Sequence, residues 1–114
     1  VLIDNEKVTK PPKPSKSYAF CSDTAYSEAI IPIIKGSTVL YHESTFLDKN
    51  EELCNRTKHS TAKQAATIAK MANVETLILG HYSTRYNGYQ EFKTEAQTVF
   101  EDVLLAKDGK TFEF

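Results

Sequence analysis

A chain of 114 residues is long enough for one small domain with a single core. Its 40% apolar and 25% charged residues are ordinary for a globular protein. A net charge of −1 gives no global basic field to announce a nucleic-acid partner, although a local patch can sit inside a balanced total.

No apolar stretch approaches the roughly 20 residues that cross a bilayer. No basic segment followed by an apolar one stands at the start as a secretory leader would. Two cysteines, Cys21 and Cys54, fit a reduced, cytoplasmic setting better than a disulfide scaffold, and both read as inert core thiols. The chain starts at Val1, as a processed chain or a piece of a longer protein does.

Residues 1–9, "VLIDNEKVT", read as a small hairpin turning at Asp4-Asn5. "KPPKPSK" is an extended surface linker, because proline excludes both helix and inner strand, and its lysines form the one locally basic stretch. "SYAFCS" is a short buried strand. "TAYSEAIIPIIKG" is helical, with Pro32 dividing it into two short pieces. "STVLYHE" is a second strand, and "STFLDKNEELCNRTK" a long irregular loop.

"HSTAKQAATIAKMANV" is the clearest helix. Ala62, Ala65, Ala66, Ala69 and Ala72 recur at helical spacing, and Thr61 with Gln64 has the spacing of a capping box. "ETLILGH" is a third strand. "EFKTEAQTVFEDVLLA" follows as a single helix with Phe92, Ala96, Val99, Phe100 and Val103 on one face. An Asp108-Gly109 turn then leads into a last strand in "KDGKTFEF". Strands alternating with helices imply a layered α/β domain, in which ligands gather at the carboxyl ends of strands.

Those ends carry polar residues. Asp23 follows the first strand, His42 and Glu43 end the second, and His81 follows the third; His59 opens the alanine-rich helix. Imidazoles and carboxylates so placed suit a hydrolytic metal centre. Each also has a plain structural reading. Asp23 can cap the following helix, His42 can be a satisfied core histidine, Glu43 a structural partner and His59 a bystander before a cap. The residues alone leave both readings open.

"FCSDT", "YHEST", "KHSTAKQAA" and "LILGHYSTRY", in this order and spacing, resemble the C-terminal half of ribonuclease Z, a zinc-dependent endonuclease family within the metallo-β-lactamase superfamily. The similarity runs from about Ser17 to the final "FEF". The resemblance implies an α/β fold that is half of a metallo-β-lactamase αββα sandwich, a mixed sheet with helices on one face. Residues 1–16 would be a hairpin and linker, the end of a tRNA-binding arm, and residues 17–114 the C-terminal half-domain.

The resemblance also implies roles. Asp23 would bridge two zinc ions, and His81 would bind the second. His59 would protonate the leaving ribose oxygen, and Glu43 would orient His59. Arg85 would meet the RNA near the cleaved bond; His42 receives no role. Chemistry agrees: a bridging carboxylate holds two cations close, a histidine fixed by a glutamate carries protons near neutral pH, and arginine matches phosphate oxygens.

The departures from the family pattern are small: Ser44 stands where alanine is usual, and Tyr82 and Thr84 where phenylalanine and serine are frequent. A larger departure is that the superfamily's His-x-His-x-Asp-His motif is not among the 114 residues. The expectation is a fragment of a precursor-tRNA 3′ endonuclease. It would be inactive alone and bind zinc poorly, and it would need the N-terminal half as partner. Its bare sheet face would drive homodimerisation. Two other readings stand beside this one: a non-catalytic RNA-binding or scaffold module, and another phosphodiesterase of the superfamily.

Overall fold

The computed structural model describes residues 16–22 and 24–107. Four strands, β1 (Tyr18–Cys21), β2 (Val39–Glu43), β3 (Thr76–Gly80) and β4 (Val103–Leu105), form one sheet in that order. Every pairing is parallel, with Ala19, Leu40, Leu77 and Val103 in one cross-sheet row and Cys21, His42, Leu79 and Leu105 in another. Those rows face the helices, and most of their members belong to the buried core. The expected hairpin of residues 1–9, most of the linker and the last strand after Asp108-Gly109 lie outside the described residues. A mixed sheet was the expectation; the described strands are parallel.

Parallel strands need crossovers, and helices supply them. Between β1 and β2 lie a 3₁₀ turn (Glu28–Ile30) and α1 (Ile31–Ile34). These are the two short pieces expected around Pro32. The proline does not interrupt a running helix. It stands in the first turn of α1, where its missing N–H costs nothing.

Between β2 and β3 the expected irregular loop is in fact partly helical. A 3₁₀ turn (Asp48–Asn50) leads into α2 (Glu52–Thr57). Too short to stand alone, α2 is held by tertiary packing of Cys54, which is buried. Burial, then the surrounding carboxylates, push the Cys54 thiol up to about 11, so it stays protonated and unreactive.

The alanine-rich helix α3 (Ala62–Ala72) has both halves of its capping box: Gln64 N–H donates to the Thr61 hydroxyl, and Thr61 N–H donates to the Gln64 side chain. All five of its alanines are buried, as is Ile68, so its backbone lies close on β2 and β3.

The last helix departs most from expectation. α4 covers only Gln90–Ala96, and Val103, assigned above to its apolar face, lies in β4. Phe92 and Ala96 are buried as expected. Beyond them the chain turns: Thr98 N–H and hydroxyl both bond the Glu95 carbonyl, and Leu77 N–H reaches the Asp102 carbonyl. Pairing of "VLL" with β3 outweighs the helical period of the sequence.

The opposite face of the sheet carries Phe20, Tyr41, Ile78 and Leu104 in one row. Phe20 is 64% exposed and stacks on Tyr41 at 4.6 Å between ring centroids. Gly80 sits beside Tyr41, and a side chain there would collide with the tyrosine ring.

His42 lies on the helix-facing side, almost wholly buried. Its Nδ1–H donates to the Glu43 carbonyl at 2.8 Å, and Nε2 has no polar partner among the described residues. It is thus a core histidine, held neutral, because burial lowers its pKa.

Two outcomes follow from this packing. Ala69→Leu should destabilise the fold by about 1–3 kcal/mol in urea unfolding, because the helix cannot back away from the sheet, whereas Met71→Leu on the exposed side should change it by less than about 0.5 kcal/mol. The unfolded chain binds a proton at His42 more readily than the folded one. Stability is therefore complete above about pH 6.5 and declines as pH falls toward the depressed folded value. His42→Asn, which keeps an N–H where Nδ1 stands but does not titrate, should flatten that decline between about pH 6.5 and 5.

Candidate active site

Because the strands are parallel, their carboxyl ends open on one edge of the sheet. Glu43 ends β2, and the carboxylate is wholly buried there. It accepts five hydrogen bonds. Oε1 takes Thr24 N–H at 2.8 Å and His59 Nδ1–H at 2.7 Å; Oε2 takes the Thr45 hydroxyl at 2.6 Å, Ser60 N–H at 3.1 Å and Thr45 N–H at 3.3 Å. Burial alone would raise its pKa. The Thr45, His59 and Ser60 hydrogen bonds outweigh that and hold the carboxyl below its ordinary value, so Glu43 is an anion at neutral pH.

His59 reaches Glu43 from the α2–α3 connection. Lys58 ends α2 in the left-handed conformation, φ 61°, and the Lys58 and His59 amides both bond the Cys54 carbonyl. Two residues on, Thr61 caps α3. Between these fixed points Phe46 and Thr61 pair as an isolated bridge, with Phe46 N–H on the Ser60 carbonyl and Ala62 N–H on the Phe46 carbonyl. His59 is pinned on both sides while its ring stays partly open to the cleft.

His81 follows β3. Its ring centroid lies 5.2 Å from that of His59, and its Nδ1 is 2.9 Å from the Thr45 hydroxyl oxygen. Its backbone is left-handed, φ 63°, unusual for a residue with a side chain, and it throws the imidazole toward the cleft. Arg85 lies farther out, exposed, its guanidinium 5.8 Å from the Phe46 ring centre; His59 meets the same ring edge-on at 6.3 Å. The loop carrying Arg85 is tied down by Tyr86, whose hydroxyl accepts from Leu47 N–H and donates to the Asn50 side chain.

Four of the five site residues expected from sequence thus lie along one edge, with Glu43, His59 and His81 in contact range and Arg85 beyond Phe46. Asp23 lies outside the described residues. Glu43, His59 and His81 have donor atoms within 4.8 Å of one another, a spacing that fits one metal ion. The hydrogen bonds argue for a narrower ligand set. A carboxylate has about four lone-pair positions, and the five protein donors on Glu43 use them. The carboxylate is thus already satisfied by protein donors. Both imidazoles are engaged through Nδ1, His59 with Glu43 and His81 with Thr45.

Sequence reasoning missed the supporting cast. Thr24, Thr45 and Ser60 each hold Glu43, and Ser60 further donates its hydroxyl to the Thr24 carbonyl. The available signal was their position: each lies within a quoted motif, one or two positions from a residue chosen for chemistry.

Curated relatives and solved structures agree on the origin of this edge. The chain is 45% identical over 95% of its length to "Ribonuclease Z" of Parabacteroides distasonis and 44% identical over 94% to that of Porphyromonas gingivalis W83. It spans about a third of the length of these relatives, 36% and 35%. Among solved structures, it overlays the metallo-β-lactamase fold protein YhfI from Bacillus subtilis with a TM-score of 0.80 at 27% identity, covering 87% of this chain and 40% of that one. The short form of human tRNase Z, ELAC1, overlays with a TM-score of 0.57 at 29% identity, covering 79% of this chain and 29% of that one. No family model matches the chain. With its α/β architecture and the site at its strand ends, the chain is homologous to the C-terminal part of proteins named ribonuclease Z and shares the metallo-β-lactamase fold.

Proposed function

We propose that the protein to which this chain belongs is a zinc-dependent, cytoplasmic endoribonuclease that removes the 3′ trailer from precursor tRNA, and that this chain supplies its proton-transfer and RNA-facing edge. The observation that carries the reading is the 2.7 Å contact between buried, ionised Glu43 and His59, beside His81, in a chain homologous to ribonuclease Z.

Within that reading each residue has a task. Glu43 accepts the Nδ1 proton of His59, which leaves Nε2 as the position where His59 gains and loses a proton. His59 Nε2–H then serves as the general acid that protonates the departing ribose oxygen. Arg85, braced on Phe46, offers its guanidinium to phosphate oxygens just outside. His81 through Nε2 and Asp23 through its carboxylate are this chain's contribution to the metal centre, where zinc, when bound, supplies Lewis-acid and water-activating chemistry.

The His-x-His-x-Asp-His ligands are not among the 114 residues. The row of Phe20, Tyr41, Ile78 and Leu104 is the surface proposed to pack against the half that supplies them. In the isolated chain the same face would drive homodimerisation. A second reading, compatible with the overlap on the metallo-β-lactamase fold protein YhfI, is another phosphodiesterase of the same fold. Nothing observed favours a purely non-catalytic scaffold, because the Glu43–His59 contact is intact.

The decisive experiment combines this chain with the remaining part of the enzyme and zinc, and measures precursor-tRNA cleavage against that of a small phosphodiester. Preferential tRNA cleavage is expected; equal or greater turnover of the small ester would favour the second reading. Glu43→Gln and His59→Ala should each lower kcat by about 10²–10⁴-fold, whereas Arg85→Ala should act mainly on KM. Metal analysis of the 114-residue chain alone should show less than two zinc ions bound per chain, and a tight stoichiometric pair would contradict the assignment of ligands.

A further inference from the structure

The Thr45 hydroxyl stands between two groups and has one hydrogen. One neighbour, Glu43 Oε2 at 2.6 Å, is a carboxylate oxygen that only accepts. The hydrogen therefore points to Glu43. The other neighbour, His81 Nδ1 at 2.9 Å, then meets the oxygen lone pairs of Thr45 and has to be the donor.

We propose that Thr45 is a positioning residue that holds His81 as its Nδ1–H tautomer, so that Nε2 carries the electron pair. A buried anion thus dictates, through a single hydroxyl, which nitrogen of an imidazole two bonds away is basic. The polarity of the chain cannot reverse while Glu43 is ionised, because a carboxylate has no hydrogen to donate to the Thr45 oxygen; the Ser60 and Thr45 amides donate to the same Oε2.

Backbone contacts support the same conclusion. His81 occupies a left-handed conformation that non-glycine residues rarely adopt. Segment 44–45 grips the chain on both sides of it. Ser44 N–H and hydroxyl both donate to the Gly80 carbonyl, at 2.8 and 3.1 Å, and Ser83 N–H donates to the Thr45 carbonyl at 2.9 Å. Ring nitrogen and backbone are therefore set by the same two residues. The ring is fixed by protein alone, before any ion arrives. What this does for a metal rests on the ribonuclease Z reading; the tautomer itself does not.

Long-range ¹H–¹⁵N correlation of the histidine rings in the metal-free 114-residue chain, at about pH 8 where imidazole is neutral, reads the tautomer directly. His81 should carry its proton on Nδ1 in the wild type and in Thr45→Ser. In Thr45→Val, which keeps the shape and removes the hydroxyl, the Nε2–H form should appear. A wild-type Nε2–H signal, or an unchanged Nδ1–H signal in Thr45→Val, would overturn the proposal. Should Thr45→Val not fold, the wild type and Thr45→Ser decide: both must show Nδ1–H. In the reassembled protein, zinc titration should find Thr45→Val weaker by about 10–100-fold and Thr45→Ser near wild type. Failure of precursor-tRNA cleavage would overturn the enzymatic reading and leave the tautomer result standing.

Discussion

The buried carboxylate of Glu43 is the constraint on which the rest of this edge depends. A lone ion of this kind is costly inside a protein, and it is stable only where donors replace its lost water. Here the donors come from three separate segments: Thr24 after β1, Thr45 after β2, and His59 with Ser60 before α3. The need to satisfy one ion gathers three strand-end and helix-start segments at one point. Removing the charge would leave several buried donors without an acceptor, at about 1–3 kcal/mol each. The carboxylate is therefore a structural knot as well as a chemical group.

The sheet explains why the knot can form at all. Parallel strands place every carboxyl end on the same side, and crossover helices return the chain to the other side each time. Residues 43, 59 and 81, distant in sequence, become neighbours at one rim. The tight capping of α3 then has a second use. Thr61 and Gln64 start the helix at a defined residue, which fixes where the preceding His59 lies relative to Glu43. A fraying helix start would blur the Glu43–His59 contact.

Much of this was legible in the sequence because the physics involved is local. The alanine spacing and the Thr61–Gln64 pair announce α3 without reference to anything else, and "VLY" and "LIL" flank polar ends as buried strands do. The misreadings arose where long-range pairing decides. Residues 97–106 have helical apolar spacing, yet β3 offers an unpaired edge, and Val103–Leu105 take it. Residues 46–57 look polar, yet Leu47 and Cys54 find core to bury against. The site residues with ring or carboxyl chemistry were visible by type. Thr24, Thr45 and Ser60 were not, because a hydroxyl or amide becomes important only through what it faces.

The division of labour in this edge has a further consequence. Glu43 is saturated by protein donors, so its position is independent of any ion, and the same holds for the two residues that lean on it. His59 receives its orientation from Glu43 directly, and His81 receives it through Thr45. One anion therefore sets two imidazoles through their Nδ1 atoms. His59 meets the anion directly, at 2.7 Å. The interposed hydroxyl donates its only hydrogen to the anion and so holds His81 by a weaker, neutral contact. The difference of one threonine between the two arms is enough to give chemically identical side chains different electrostatic surroundings.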